Sequence, residues 1–237
     1  MEQTTDKYGR LIKEQIPYPG IRKIIGTRMR QSLDVAPQGT CMSRADMSKL
    51  LELRTELKKE GKSVTFLDLF VKSVACALKM LPIANSSRDD DFIYVYETMN
   101  IAIAVNVDNN SVIAPVIRNA QDMSLLEIAE ETRDLIEKAR NKDFAHIPMD
   151  GATITVNNLG MYDVDGCTPF INLPEAMMVT FGATRPTAWV DDDNQIVVRP
   201  VTTISITNDH TITDGGQTAQ FAGAIKTVMK DPRTYLL

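Results

Sequence analysis

Histidine is nearly absent: His146 and His210 are the only two in 237 residues. Any proton transfer near neutral pH that relies on an imidazole must use one of them. Cysteine is almost as scarce. Cys41, Cys76 and Cys167 are odd in number and far apart, with no CxxC and no Cys/His cluster. That pattern supports neither a zinc site nor a disulfide framework, and the three read as reduced thiols packed as small apolar residues. Long apolar runs are missing too. No stretch approaches the roughly 20 apolar residues that a spanning helix needs. The opening MEQTTDKYGRLIKEQIPYPG lacks the apolar core of a signal peptide. Positive charge is not in excess. A net charge of -5 argues against nucleic acid or an anionic membrane surface as the partner. The expectation is a soluble, cytoplasmic protein, in which local basic patches could still take a phosphorylated ligand.

What is present is ordinary for a globular chain: 43% hydrophobic and 24% charged residues, enough for a sizeable core. Residues 1–19 are polar, end in IPYPG and read as an extended arm; residues 20–237 read as one folded domain. IRKIIGTRMRQSL places Ile21, Ile24, Ile25 and Met29 on one helical face. DMSKLLELRTELKKEGKS reads as a helix with Asp46 as candidate N-cap and Gly61 as its stop. TFLDLFVKSVACALKMLP is an apolar helix closed by Pro82, and SLLEIAEETRDLIEKARNK is an amphipathic one starting at Ser124. Strand patterns cover 100–107 and 111–120, joined by a DNN turn, then 152–158, 177–183, 195–200 and 201–208. A last helix spans 216–232. Helices and strands alternate early and strands cluster late, which predicts an α+β fold with a large sheet covered by helices.

His210 sits where a β-branched run, VTTISITN, meets NDHTITDGG. A strand end holds such a side chain firmly, and Gly215 and Gly216 leave room beside it. Two readings stay open on these residues: a general base supported by Asp214, or a turn rich in Asp, Thr and Gly with no chemistry. His146, in the polar loop DFAHIPMDG, reads as a surface residue. The runs VDDDNQ and RDDD read as acidic turns, because cation loops space their ligands. NLGMYDVDG has too few glycines in order for a dinucleotide loop.

NDHTITDGGQTAQF resembles the DHRxxDGxxxAxF signature of the 2-oxo acid dehydrogenase E2 acyltransferases. Further blocks resemble that family in order: PYPGIRKIIGTRMRQSL, TFLDLFVKSVACALKMLPIANSS, NIAIAVNVDNNSVIAPVIRNAQDMSLLEIAEE, TVNNLGMYDVDGCTPFINLPEAMMVTFGA and MKDPRTYLL. Together they cover about residues 16 to 237.

The resemblance implies a chloramphenicol acetyltransferase-like fold that forms trimers, with each active site at a subunit boundary. It implies acyl transfer between the thiols of a dihydrolipoyl-lysine arm and coenzyme A, without a metal. On this reading His210 is the general base and Asp214 supports its loop through an arginine, with Arg22 and Arg28 as candidates. The oxyanion donor, a serine in the family's TISNLG stretch, is Asn157 here, and an amide can also donate. The signature arginine after the histidine is Thr211, and the histidine of the family's PHVT segment is Gln38. Family members carry a lipoyl domain and a subunit-binding domain ahead of the catalytic domain; neither is legible in this sequence. The expected partners are therefore coenzyme A, a separate lipoyl-domain protein, an E1 component, and further copies in a homotrimer or a larger core. Two alternatives accompany this: a structural or regulatory E2-like core of impaired activity, and an acyltransferase acting on a small-molecule acceptor.

Overall fold

The computed structural model describes residues 4–18, 20–108 and 111–237. Residues 109 and 110 of the expected DNN turn and the side chains of Ile21, Asp108 and Ser111 lie outside the described set.

The first helix, α1 (Ile21–Val35), is followed by strand β1 (Gln38–Asp46) and helices α2 (Ser48–Lys59) and α3 (Phe66–Met80). Strands β2 (Ser86–Arg88) and β3 (Ile93–Val95) form a small hairpin. Then come β4 (Ile101–Ile103), β5 (Val105–Asp108), β6 (Ser111–Ile113) and β7 (Val116–Ile117), with β5 and β6 paired as a hairpin. Helix α4 (Leu125–Arg140) leads to β8 (Ile154–Asn158), β9 (Met177–Phe181), β10 (Arg185–Val190) and β11 (Ile196–Asp209). Helices α5 (Gly215–Lys230) and α6 (Pro232–Leu236) close the chain.

Local chemistry explains most of these boundaries. Thr65, Ser124 and Asp214 each form a capping box with the residue three positions on, starting α3, α4 and α5. Asp46, the expected N-cap of α2, does not hold that position: Met47 does, without a side-chain cap, and Asp46 Oδ1 accepts from the Ser48 N–H at 2.8 Å in the turn before it. Gly61 ends that helix region at φ 78°, a conformation suited to glycine.

A seven-stranded mixed sheet runs in the order β1-β11-β9-β8-β4-β7, with β10 also paired to β11. Its helix-side face is apolar: Ile154, Val156, Val179, Phe181, Ile204 and Ile206 join Phe70, Val74 and Leu78 of α3 in one core. The rings of Phe70 and Phe181 stack at 3.8 Å. The opposite face is polar by strict alternation. Thr155, Thr180, Ser205 and Thr207 lie there and are nonetheless buried, because the loop from 159 to 176 covers them. Gly182 makes that cover possible, since a Cβ there would stand 2.0 Å from the Asp165 carbonyl oxygen.

Several expectations need correction: the segments 100–107 and 111–120 each break into two strands, β4 with β5 and β6 with β7. The segments 195–200 and 201–208 form the single strand β11, running through Pro200. Up to Val201 this strand pairs with β10, opposite Pro186, and from Val201 onward with β1, so the proline sits where the partner changes. Strands β1, β10, β2 and β3 carried no expectation at all. In α1, Ile24 is 55% exposed and only Ile25 and Met29 are half-buried, because this helix borders cavities instead of the main core. The arm is also not wholly extended: Thr5 bridges Leu11, and Asp6 accepts from the Tyr8 and Arg10 N–H groups. Among the described residues, no helix is long and apolar enough to cross a membrane.

Candidate active site

His210 follows β11 directly, and its backbone is fixed before its side chain is considered. The His210 N–H donates to the Pro37 carbonyl at 2.8 Å. Asn208 Nδ2 reaches across the turn to the Thr213 carbonyl at 2.6 Å. Asp209 Oδ1 accepts from both the Thr211 N–H at 2.8 Å and the Thr211 hydroxyl at 2.6 Å. The imidazole itself is exposed, and Gly39 lies beside it: a Cβ at Gly39 would meet His210 Cδ2 at 3.6 Å. The turn is therefore over-determined, while the ring remains accessible to a substrate.

An arginine does secure this turn, but the carboxylate it meets is Asp209. Asp214 is exposed and serves as the N-cap of α5, accepting from the Gln217 N–H at 2.8 Å. Arg22 and Arg28 instead border the cavity that contains Asn157. The cation at the turn is Arg88, at the end of β2. Its Nε donates to the Thr211 hydroxyl at 2.6 Å and lies 3.6 Å from Asp209, whose side chain is 4% exposed. A second nitrogen of Arg88 donates to the Val35 carbonyl at 3.1 Å, joining the turn to α1. Thr211, standing where the family signature has arginine, thus bridges a buried carboxylate to an arginine supplied from elsewhere in the chain.

Gln38 likewise has a defined place. Its amide donates to Ser32 Oγ at 2.8 Å and its carbonyl accepts from the Ile171 N–H at 3.2 Å. It ties α1 to the loop that covers the polar sheet face. His146 is exposed and pairs with Asp143 at 2.7 Å, away from this turn in a helix-to-strand loop. The aspartates of both acidic runs organise turns: Asp191 accepts from the Asp193 and Gln195 N–H groups, and Asp89 from those of Asp91 and Phe92.

Asn157 is on β8, half-buried, and borders a cavity of about 670 Å³. Thr155 and Met178 line the same cavity, as do Arg22, Arg28 and Met29 of α1. A second cavity of about 850 Å³ adjoins it, sharing Arg28, Met29, Ala114, Met149 and Asn172. The sheet register keeps Asn157 away from His210. Asn157 pairs with Thr180, and Thr180 with Ser205, five residues before His210. At about 3.3 Å per residue and about 4.8 Å per strand, the two positions are roughly 19 Å apart. One chain therefore does not bring the expected base and the expected oxyanion donor together.

Residues 11–237 match the model of the 2-oxoacid dehydrogenases acyltransferase (catalytic domain) family. The chain belongs to that family. Among relatives of this acyltransferase domain, the dihydrolipoyllysine-residue acetyltransferase component of the pyruvate dehydrogenase complex of Rickettsia prowazekii is 30% identical over 227 residues, or 94% of the chain. That match covers 55% of the relative, so the chain spans about half the length of the curated relatives it matches. The cubic core of the pyruvate dehydrogenase multienzyme complex superposes on the acyltransferase domain with a TM-score of 0.89 at 30% identity, covering 98% of this chain and 96% of that one. Chloramphenicol acetyltransferase shares the fold with a TM-score of 0.55 at 15% identity, covering 85% and 94%. The expected α+β, chloramphenicol acetyltransferase-like architecture is the one found.

Sequence reasoning missed Arg88, Asp209 and the cavity residues Thr155 and Asn172, while Pro174-Glu175, which follows the family's PPEVA pattern, reads in the sequence as a turn near the site without a catalytic carboxylate. Asp209 stands next to His210, and its position on a strand's last residue was an available signal. Arg88 sits in the acidic RDDD run and carried no such signal.

Proposed function

We propose that the chain is the acyl-transferring catalytic domain of an E2-type component, moving an acyl group between dihydrolipoyl and coenzyme A thiols. The observation that carries this is the fixed turn that presents an exposed imidazole at His210. A free thiol has a pKa around 8.5 and only its thiolate attacks well, so a positioned base adds directly to the rate. In the proposed reaction His210 takes the proton of the attacking thiol, and the sulfur bonds to the thioester carbonyl carbon. The negative charge then rests on the carbonyl oxygen, where an amide N–H of Asn157 is the proposed donor. Collapse expels the other sulfur, which recovers the proton from the imidazolium. No oxidation state changes, and coenzyme A enters as substrate.

The roughly 19 Å between His210 and Asn157 within one chain favours a site shared by two copies. We infer a homotrimer, with His210 of one copy facing the Asn157 cavity of the next. Exposed apolar side chains fit such an assembly: Ile196 is 81% and Val198 74% exposed on the β10–β11 ribbon, and Ile16 is 77% exposed on the arm. A lipoyl domain on another protein, or on another part of a longer chain, would supply the dihydrolipoyl group, and an E1 component would load it.

Acetyl-CoA or propionyl-CoA with dihydrolipoamide tests this. Wild-type protein should turn over, and His210→Ala should lose about 10²–10⁴ in kcat. No turnover with either acyl-CoA in a well-folded oligomer would reject the transferase and leave a structural E2-like core. Turnover only with a hydroxyl or amine acceptor would point to a small-molecule acyltransferase.

A further inference from the structure

Glu175 is the most completely buried acidic side chain bordering the larger cavity. Its residue is 4% exposed, and it follows a Pro174 turn that leads straight into β9. Its carboxyl oxygens differ sharply in surroundings. Oε1 accepts from the Thr155 hydroxyl at 2.9 Å, while Oε2 has no hydrogen-bond partner among the described residues. The Thr155 hydroxyl in turn accepts from Asn172 Nδ2 at 3.1 Å. The Glu175 N–H closes the loop by donating to the Asn172 carbonyl at 3.0 Å. The result is a directed chain of donors, Asn172 to Thr155 to Glu175, with every link buried or half-buried.

A carboxylate at this place would lack compensation. Among the described residues, no cation forms an ion pair with Glu175. The titratable and charged groups that border its cavity are Arg28 of α1, Tyr96 after β3, and Asp150 in the loop before β8. A buried charge without a partner costs far more than a buried neutral acid with one hydrogen bond. Burial accordingly pushes the Glu175 carboxyl up to about 8 from an ordinary value of 4.5, against a smaller downward pull from the Thr155 hydrogen bond.

The chain ends at the functional cavity. Thr155 and Asn157 are two residues apart on β8, so they share a face, and both line the smaller cavity. Asn172 lines both cavities. We propose that Glu175 is a positioning residue of the acyl-transfer site, a neutral carboxylic acid that holds Thr155 and Asn172 and so fixes the cavity wall from which Asn157 acts. This rests on the acyl-transfer reading above. Glu175 touches neither substrate nor reacting atoms; it acts through Thr155.

The sign of the pH effect follows from the raised value. Between pH 4.5 and about 8 the folded protein keeps a proton that the unfolded chain releases. The contribution of Glu175 to stability is therefore full below pH 4.5 and is lost as pH rises through about 8. Above that point the wall loses its neutral anchor, and turnover should fall.

Glu175→Gln, which has the shape of the neutral acid and keeps an acceptor for Thr155, separates the possibilities from Glu175→Leu, which keeps only the volume. Thermal midpoints, kcat and KM are measured from about pH 5 to about pH 9.5, with coenzyme A affinity by calorimetry. The Gln variant should keep kcat at pH 7 within about three-fold, lose the wild type's decline in midpoint between pH 5 and 8, and hold its activity at pH 9. The Leu variant should lose about ten-fold in kcat/KM and weaken coenzyme A binding while staying folded. A Gln variant as inactive as Leu, or wild-type and Gln midpoints that run parallel across the range, would overturn the proposal. Failure of the acyl-transfer reading looks different: the wild type neither turns over nor binds coenzyme A. The midpoint comparison then still decides whether Glu175 is held neutral.

Discussion

In the proposed role of base, His210 is useful only as far as its turn is rigid, and single residues far apart in sequence supply that rigidity. Arg88, Asp209 and Thr211 form one small network, with a carboxylate that is 4% exposed at its centre. Replacing Arg88 by methionine keeps the stem but leaves Asp209 without its cation. The expected loss is about 1–3 kcal/mol in stability, reduced from a fully buried pair because Arg88 is itself 26% exposed and 3.6 Å away. Urea denaturation checks this, and kcat should fall with KM little changed, since the loop's aim is what suffers. At this scale the sequence was partly legible. His210 and Asp214 stood out from a signature, yet Asp214 turned out to cap a helix, because with Gln217 three positions on it forms the capping box that starts α5. Arg88 was illegible, since its partner Asp209 lies on a strand that only folding brings near, and the same holds for the contact of Glu175 with the Thr155 hydroxyl.

At the scale of elements, helices were easy to read and strands were not. The three capping boxes at Thr65, Ser124 and Asp214 mark helix starts by chemistry visible in a four-residue window. Strand β1, QGTCMSRAD, has almost no apolar alternation: it lies at the sheet edge, where Met42 and Arg44 are exposed and Thr40 meets Thr207 of the neighbouring strand through a hydroxyl contact of 2.8 Å. Strand β11 hid behind Pro200, which a central strand would not tolerate but a change of partner does. The cap at Asp214 yields a prediction proper to an element. Asp214→Ala should cost about 1 kcal/mol by loss of the cap to Gln217. Thermal melting measures that loss, and kcat per folded molecule should change less than ten-fold, far less than for His210→Ala.

At the scale of the whole molecule, the polar sheet face and the exposed ribbon follow the same logic. The apolar face of the sheet is consumed by α3, α5 and the core, while the other face carries the cavities between α1, β8 and the covering loop. This arrangement separates the proposed base, His210, from the proposed oxyanion donor, Asn157, within a chain and leaves apolar side chains such as Ile196 and Val198 on the outside. A cyclic assembly resolves both features at once, since a heterologous interface apposes two different patches of identical copies. The fold was legible as a class from the alternation of elements, whereas the separation of His210 from Asn157 is a property of register that local residue patterns do not carry; the expectation of a site at a subunit boundary came from the family resemblance alone.

Subunit mixing tests the shared site most directly. His210→Ala and Asn157→Ala chains, each nearly inactive alone, are unfolded together, reassembled at equal amounts, and assayed for acyl transfer, with native mass spectrometry confirming mixed oligomers. A site built from His210 of one copy and Asn157 of the next predicts recovery to about a quarter of wild-type turnover, the fraction of boundaries that pair an intact histidine with an intact asparagine. Mixed oligomers that form and stay as inactive as either variant alone would contradict it.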